Sequence, residues 1–118
     1  MKKIYYLSTC STCVRIIKEL SIDDSFDFQD IKFEKITLDH LEQMKQLSGS
    51  YENLFSRRAI KYKSLELKDK VLTEADYKSL ILKEYTFLKR PVIIIKDKIF
   101  IGNSKKEIDL VKNELNNN

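Results

Sequence analysis

Ile4-Tyr5-Tyr6-Leu7-Ser8-Thr9-Cys10-Ser11-Thr12-Cys13 is the stretch on which the fold turns. Its first four residues are β-prone and short, and they run into hydroxyl-bearing residues suited to starting a helix. From Cys13 onward Ile16, Ile17 and Leu20 fall on one helical face, and Phe26 to Phe33 then reads as a second strand with Phe26, Phe28 and Ile31 as its apolar content. The chain therefore opens β-α-β, with the cysteines at the start of the helix. Both cysteines of the protein lie in this one motif. Two placed at random over 118 positions stand three apart only about 2% of the time, so the spacing is informative. A helix start offers unsatisfied N–H groups and the positive end of the helix dipole, which favour a thiolate. Cys10 is the expected nucleophile, and Cys13, one turn on, the thiol that resolves an adduct formed on it. A zinc half-site or a structural disulfide are the alternatives for such a pair. The first has only His40 as an imidazole partner, and the second suits an oxidising compartment.

Working outward, the last third repeats the strand signal. Arg90-Pro91 leads into Val92-Ile93-Ile94-Ile95, a turn is expected at Asp97-Lys98, and Ile99-Phe100-Ile101 follows before Gly102. Ser104 to Glu107 reads as a capping box for a closing helix with Ile108, Val111 and Leu115 inward. The middle is helical. Thr37 caps a helix carrying Leu38, Leu41, Met44 and Leu47 that ends near Gly49, and Thr73-Glu74-Ala75-Asp76 opens another with Tyr77, Leu80 and Ile81. Between them residues 53–67 show no clean period and are expected to form a short helix and an exposed loop. The single proline, Pro91, stands directly before an apolar strand, where a cis bond facing the cysteine pair is expected. An ordinary trans proline opening an edge strand is the alternative.

Composition narrows the chemistry. With 118 residues, one domain is expected. Two glycines do not make a dinucleotide fingerprint or a phosphate-cradling loop, and one histidine leaves little for a catalytic zinc. The longest apolar run, residues 92–95, is too short to span a bilayer. Neither metal, bound cofactor, membrane nor direct nucleic-acid contact is expected. The net charge of +4 is compatible with an anionic substrate or an acidic partner.

Tyr5 with Cys10-Ser-Thr-Cys13, the stretch Ser56-Arg57-Arg58-Ala59-Ile60-Lys61-Tyr62-Lys63-Ser64-Leu65, and Phe87-Leu88-Lys89-Arg90-Pro91-Val92-Ile93-Ile94 together resemble the ArsC/Spx family of glutaredoxin-linked arsenate reductases and Spx transcriptional regulators. The resemblance covers nearly the whole chain. It implies an α/β, thioredoxin-like β-α-β…β-β-α sheet built from residues 1–34 and 86–116, with a helical insertion at 35–85. It also implies that Cys10 attacks arsenic, that Arg90 and Arg58, with Arg57 as an alternative register, hold an oxyanion beside Pro91, and that glutathione or glutaredoxin is the reductant in a cytoplasmic setting. A planar guanidinium suits a tetrahedral oxyanion, although any one of these arginines is also a candidate for a surface ion pair.

Departures from the arsenate reductases are visible too. Ile101-Gly102-Asn103 stands where those enzymes carry a third arginine, and Tyr6 where they have a histidine. The cysteine pair and Gly102 match Spx proteins, whereas Val14 stands where their arginine follows the second cysteine. Two functions are thus expected: an arsenate reductase-like thiol oxidoreductase acting on a small oxyanion or thiol substrate, with glutaredoxin or thioredoxin as partner, or a redox-sensing regulator whose partner is RNA polymerase.

Overall fold

The computed structural model describes residues 1–117. These form two compact units, one made of residues 1–34 with residue 90 onward, the other of residues 35–89.

The sheet unit holds four strands, β1 (Lys2–Tyr6), β2 (Asp27–Asp30), β3 (Val92–Ile95) and β4 (Lys98–Ile101), in the order β2-β1-β3-β4. β1 runs parallel to β2 and antiparallel to β3, and β3 pairs antiparallel with β4. Helix α1 (Ser11–Glu19) makes the crossover between the parallel strands, and the last helix of the chain, Lys105–Asn116, follows β4. This is the thioredoxin-like β-α-β…β-β-α arrangement. Val92 to Ile95 are all buried, as an unbroken apolar run in an interior strand requires. Ile16 of α1, Leu20 at its C-cap, and Ile108 and Val111 of the last helix cover one face of the sheet, packing with Ile4, Ile93, Ile95 and Phe100.

Three local expectations need correction here. β2 ends at Asp30, short of Phe33, because the Asp30 carbonyl accepts from the Phe33 and Glu34 N–H groups and its carboxylate from Lys32 N–H, which closes a turn. The hairpin turn is Lys96-Asp97, one residue earlier than expected, with Lys96 in the left-handed region (φ 58°) that a tight two-residue turn demands. At Ser104 only half of the capping box forms. Its hydroxyl accepts from Glu107 N–H, but the Glu107 carboxylate turns to accept from Ile101 N–H (2.8 Å), tying the end of β4 to the helix.

The helical unit contains α2 (Leu38–Ser48), α3 (Ile60–Ser64) and α4 (Glu74–Lys83), so the final helix of the sheet unit is α5. Thr37 and Thr73 cap α2 and α4, each accepting from the N–H three residues on, while His40 and Asp76 side chains accept from the cap N–H in return. Gly49 ends α2 with a left-handed φ of 98°, a conformation a side chain would strain. Of the apolar residues on α2, Leu41 and Met44 are buried, whereas Leu38 at the first turn is exposed. Residues 53–67 also differ from the expected exposed loop, since Leu54, Phe55 and Leu67 are buried. Phe55 stacks on Phe87 with centroids 5.0 Å apart and touches Tyr77 and Tyr62. Ser56 N–H donates to the Phe87 carbonyl and Lys89 N–H to the Leu54 carbonyl, so residues 86–89 pack with the helical unit.

Candidate active site

The site begins where β1 stops. Cys10 N–H donates to the Leu7 carbonyl (3.0 Å), closing a turn, and Val14 N–H donates to the Cys10 carbonyl (3.1 Å) as the first bond of α1. Cys10 is thereby the N-cap residue, with extended backbone (φ −98°, ψ 111°). Its thiol is not a hydrogen-bonded cap of the Ser or Asp kind. It is, however, the group nearest the unsatisfied amides of the first turn, and no acidic residue in that turn opposes a negative charge.

The two thiols sit in contrasting surroundings. Cys10 is partly exposed and Cys13 fully buried. Partial burial resists ionisation of Cys10. The Cys13 N–H, the Cys13 thiol acting as donor, the Thr12 N–H and the Arg90 charge together outweigh it, and the Cys10 pKa lies below that of an ordinary thiol. Burial pushes the Cys13 thiol up to about 11, and charge on Cys10 adds to the rise, although the Leu7 N–H and Arg90 work the other way. The pair is thus polarised: charge settles on Cys10, and the proton stays on Cys13. Neither Leu7 nor Thr12 was legible in the sequence as part of the site, because both contribute main-chain N–H groups and not side chains.

The Arg90–Pro91 bond is cis, as expected. Gly102 N–H donates to the Pro91 carbonyl (2.9 Å), which holds the end of the hairpin against the proline. Arg90 is half-buried, and its charge is felt by both thiols. An open groove of about 510 Å³ is lined by Ser8, Thr9, Ser11, Val14, Arg15 and Lys18, residues that flank Cys10 in sequence, although Cys10 itself does not line it. That groove was not foreseen.

In the helical unit, Arg57 and Arg58 have different neighbours. Arg57 Nη2 donates to Glu52 Oε2 and to the Tyr77 hydroxyl, both at 2.9 Å, so the ion-pair alternative applies to it. Arg58 is exposed, and its guanidinium makes no ion pair among the described residues. Among the described residues no group of three or more His, Cys, Asp or Glu could hold a metal ion, and no helix is long and apolar enough to cross a membrane.

The ArsC family model matches residues 5–111, a span holding both cysteines, all three candidate arginines and Pro91. Solved structures share the fold. An ArsC-family-related protein from Bacteroides fragilis is 23% identical, with a TM-score of 0.77 over 93% of this chain and 96% of that one. An arsenate reductase from Vibrio cholerae is 16% identical, with a TM-score of 0.76 over 93% and 96%. An arsenate reductase-related protein from Brucella melitensis is 22% identical, with a TM-score of 0.69 over 92% of each. No protein of curated function matches the chain.

Proposed function

Because the chain belongs to the ArsC family, we propose that it is an arsenate reductase-like thiol oxidoreductase in which Cys10 is the nucleophile and Cys13 the resolving thiol. One observation carries this reading: a thiolate-stabilising helix start under Cys10, with a protonated thiol and a guanidinium beside it. In the proposed cycle the Cys10 thiolate attacks arsenic(V), forming an S–As bond as water leaves. Cys13 then loses its proton and attacks Cys10 Sγ. The S–As bond breaks, its electron pair passes to arsenic, arsenic(III) departs, and a Cys10–Cys13 disulfide remains. Two thiols have supplied two electrons. An external thiol, glutathione or a glutaredoxin- or thioredoxin-type dithiol, restores the pair, as a reducing cytoplasm allows.

Arg90 offsets the charge of the oxyanion and of the thiolate together, a preorganised role that its half-buried position favours. Arg58 is assigned a second anion contact on the family resemblance, and Arg57 is the weaker candidate because Glu52 and Tyr77 already hold it. Pro91 lines the site beside Arg90. The same polarised pair favours a second reading, an Spx-like switch whose dithiol and disulfide forms differ in binding RNA polymerase, and Gly102 in place of a third arginine leans that way.

The deciding experiment is single-turnover titration of the reduced protein with arsenate, followed by counting free thiols and arsenite. The enzyme reading expects two thiols lost per arsenite formed, none with Cys10→Ser, and dependence on added glutathione with Cys13→Ser. Thiols untouched by arsenate, together with polymerase captured only by the oxidised protein, would establish the regulator instead.

A further inference from the structure

The chain's net charge is +4. Residues 57–71 contain six cations (Arg57, Arg58, Lys61, Lys63, Lys68 and Lys70) against two anions (Glu66 and Asp69), a net +4, so the remaining sixteen cations and sixteen anions cancel. Residues 1–18 and 78–98 each carry a net +4 as well, so charge alone does not single this stretch out; its cations differ in their exposure and their lack of ion-pair partners. All six cations are exposed, and apart from Arg57 none of them makes an ion pair among the described residues.

Apolar side chains stand among these charges. Ile60 is 87% exposed, Val71 96% and Leu65 47%. The stretch is nevertheless anchored, since Tyr62 packs edge-on against Phe55 and Leu67 is buried. A solvated lysine face needs no exposed isoleucine or valine. Cations that, Arg57 apart, lack ion-pair partners among the described residues stand in one short stretch with three exposed aliphatics, a combination suited to a partner that is both acidic and apolar.

We propose that residues 57–71 dock an acidic protein segment in which carboxylates are interspersed with aliphatic side chains. Charge complementarity selects the acidic partner, and Ile60, Leu65 and Val71 select a protein over a nucleic acid. A duplex would use the cations but leave the aliphatics in water, and the aromatic of the stretch, Tyr62, is engaged with Phe55 and not presented for base stacking. A lipid surface calls for a longer amphipathic helix than the five residues of α3. This inference does not rest on the thiol chemistry.

Fluorescence anisotropy with a labelled peptide of mixed Glu and Leu, compared with polyglutamate, a DNA duplex and phosphatidylglycerol vesicles, tests it on the full chain. The peptide is expected to bind tightest. Lys61→Glu with Lys63→Glu should weaken it about tenfold, an effect that shrinks as salt rises. Ile60→Ser with Val71→Ser should weaken it about fivefold at any salt. Lys68→Glu with Lys70→Glu gives an independent charge variant if the first pair impairs folding, and Cys10 alkylation should stay at its wild-type rate throughout. Tighter binding to DNA, vesicles or polyglutamate, or peptide binding that is absent or indifferent to these variants, overturns the proposal.

Discussion

Cys10 and Cys13 are the same side chain three residues apart, and the difference between them is set by what surrounds each sulfur. Amides of the first turn and the Arg90 charge favour the thiolate at Cys10, while burial holds the proton on Cys13. Iodoacetamide should therefore label Cys10 first, with a midpoint below the ordinary ~8.5, and the rate should rise with pH through that midpoint as the thiolate fraction grows. Cys10→Ser should abolish the fast phase and Cys13→Ser should retain it; equal slow labelling of both thiols would contradict the assignment. Arg90→Ala should move the Cys10 midpoint upward and weaken sulfate or arsenate binding about tenfold, whereas Arg90→Lys should keep more of the midpoint than of the binding, since a lysine restores charge without the planar fork. Isothermal titration beside the pH profile separates the two effects. Arg58→Ala, changing binding alone, would support its proposed contact.

At the level of elements, caps and tethers matter more than intrinsic propensity. Glu74, in the first turn of α4, accepts from Tyr51 N–H (2.7 Å) and Glu52 N–H (3.0 Å), so one carboxylate joins the start of a helix to a segment more than twenty residues earlier. Glu74→Ala leaves those donors without that acceptor and is expected to cost about 1–3 kcal/mol, with Glu74→Gln between it and wild type. Urea unfolding reads this directly, and a loss equal to that of an exposed carboxylate elsewhere would refute it. Thr73→Ala removes only the cap and should cost about 1 kcal/mol. The cap was legible because Thr-x-x-Asp is a local pattern. The Glu74 tether was not, because nothing near residue 74 announces which backbone it will reach.

Across the whole molecule, two buried acids are expected to set the alkaline limit. The Cys13 thiol is pushed up to about 11 and the Tyr5 hydroxyl, chiefly by burial and then by Asp27 and Glu34, to about 12. Unfolded, they titrate near ~8.5 and ~10. Above those values the folded state holds protons that the unfolded chain has released, so their stabilising contribution, complete below ~8.5, falls as pH rises toward 11 and 12. The urea midpoint of the reduced protein should drop between about pH 9 and 11. Cys13→Ala should flatten the lower part of that drop, and an unchanged slope would show that other groups set the limit. What the sequence by itself determined was local: β1 running into the cysteine helix, the apolar run of β3, the Thr37 and Thr73 caps, and the cysteine spacing that marks the redox motif. These are legible because strand alternation, helix periodicity and capping are fixed by near neighbours. That Cys10 is the favoured thiolate followed from its place at the helix start, whereas tertiary structure decided how strongly Cys13 holds its proton, because its burial comes from residues distant in sequence. It likewise decided that Phe55, in a stretch with no readable period, is the aromatic hub of the helical unit, since a buried residue outside regular structure owes its burial to partners that no local pattern encodes.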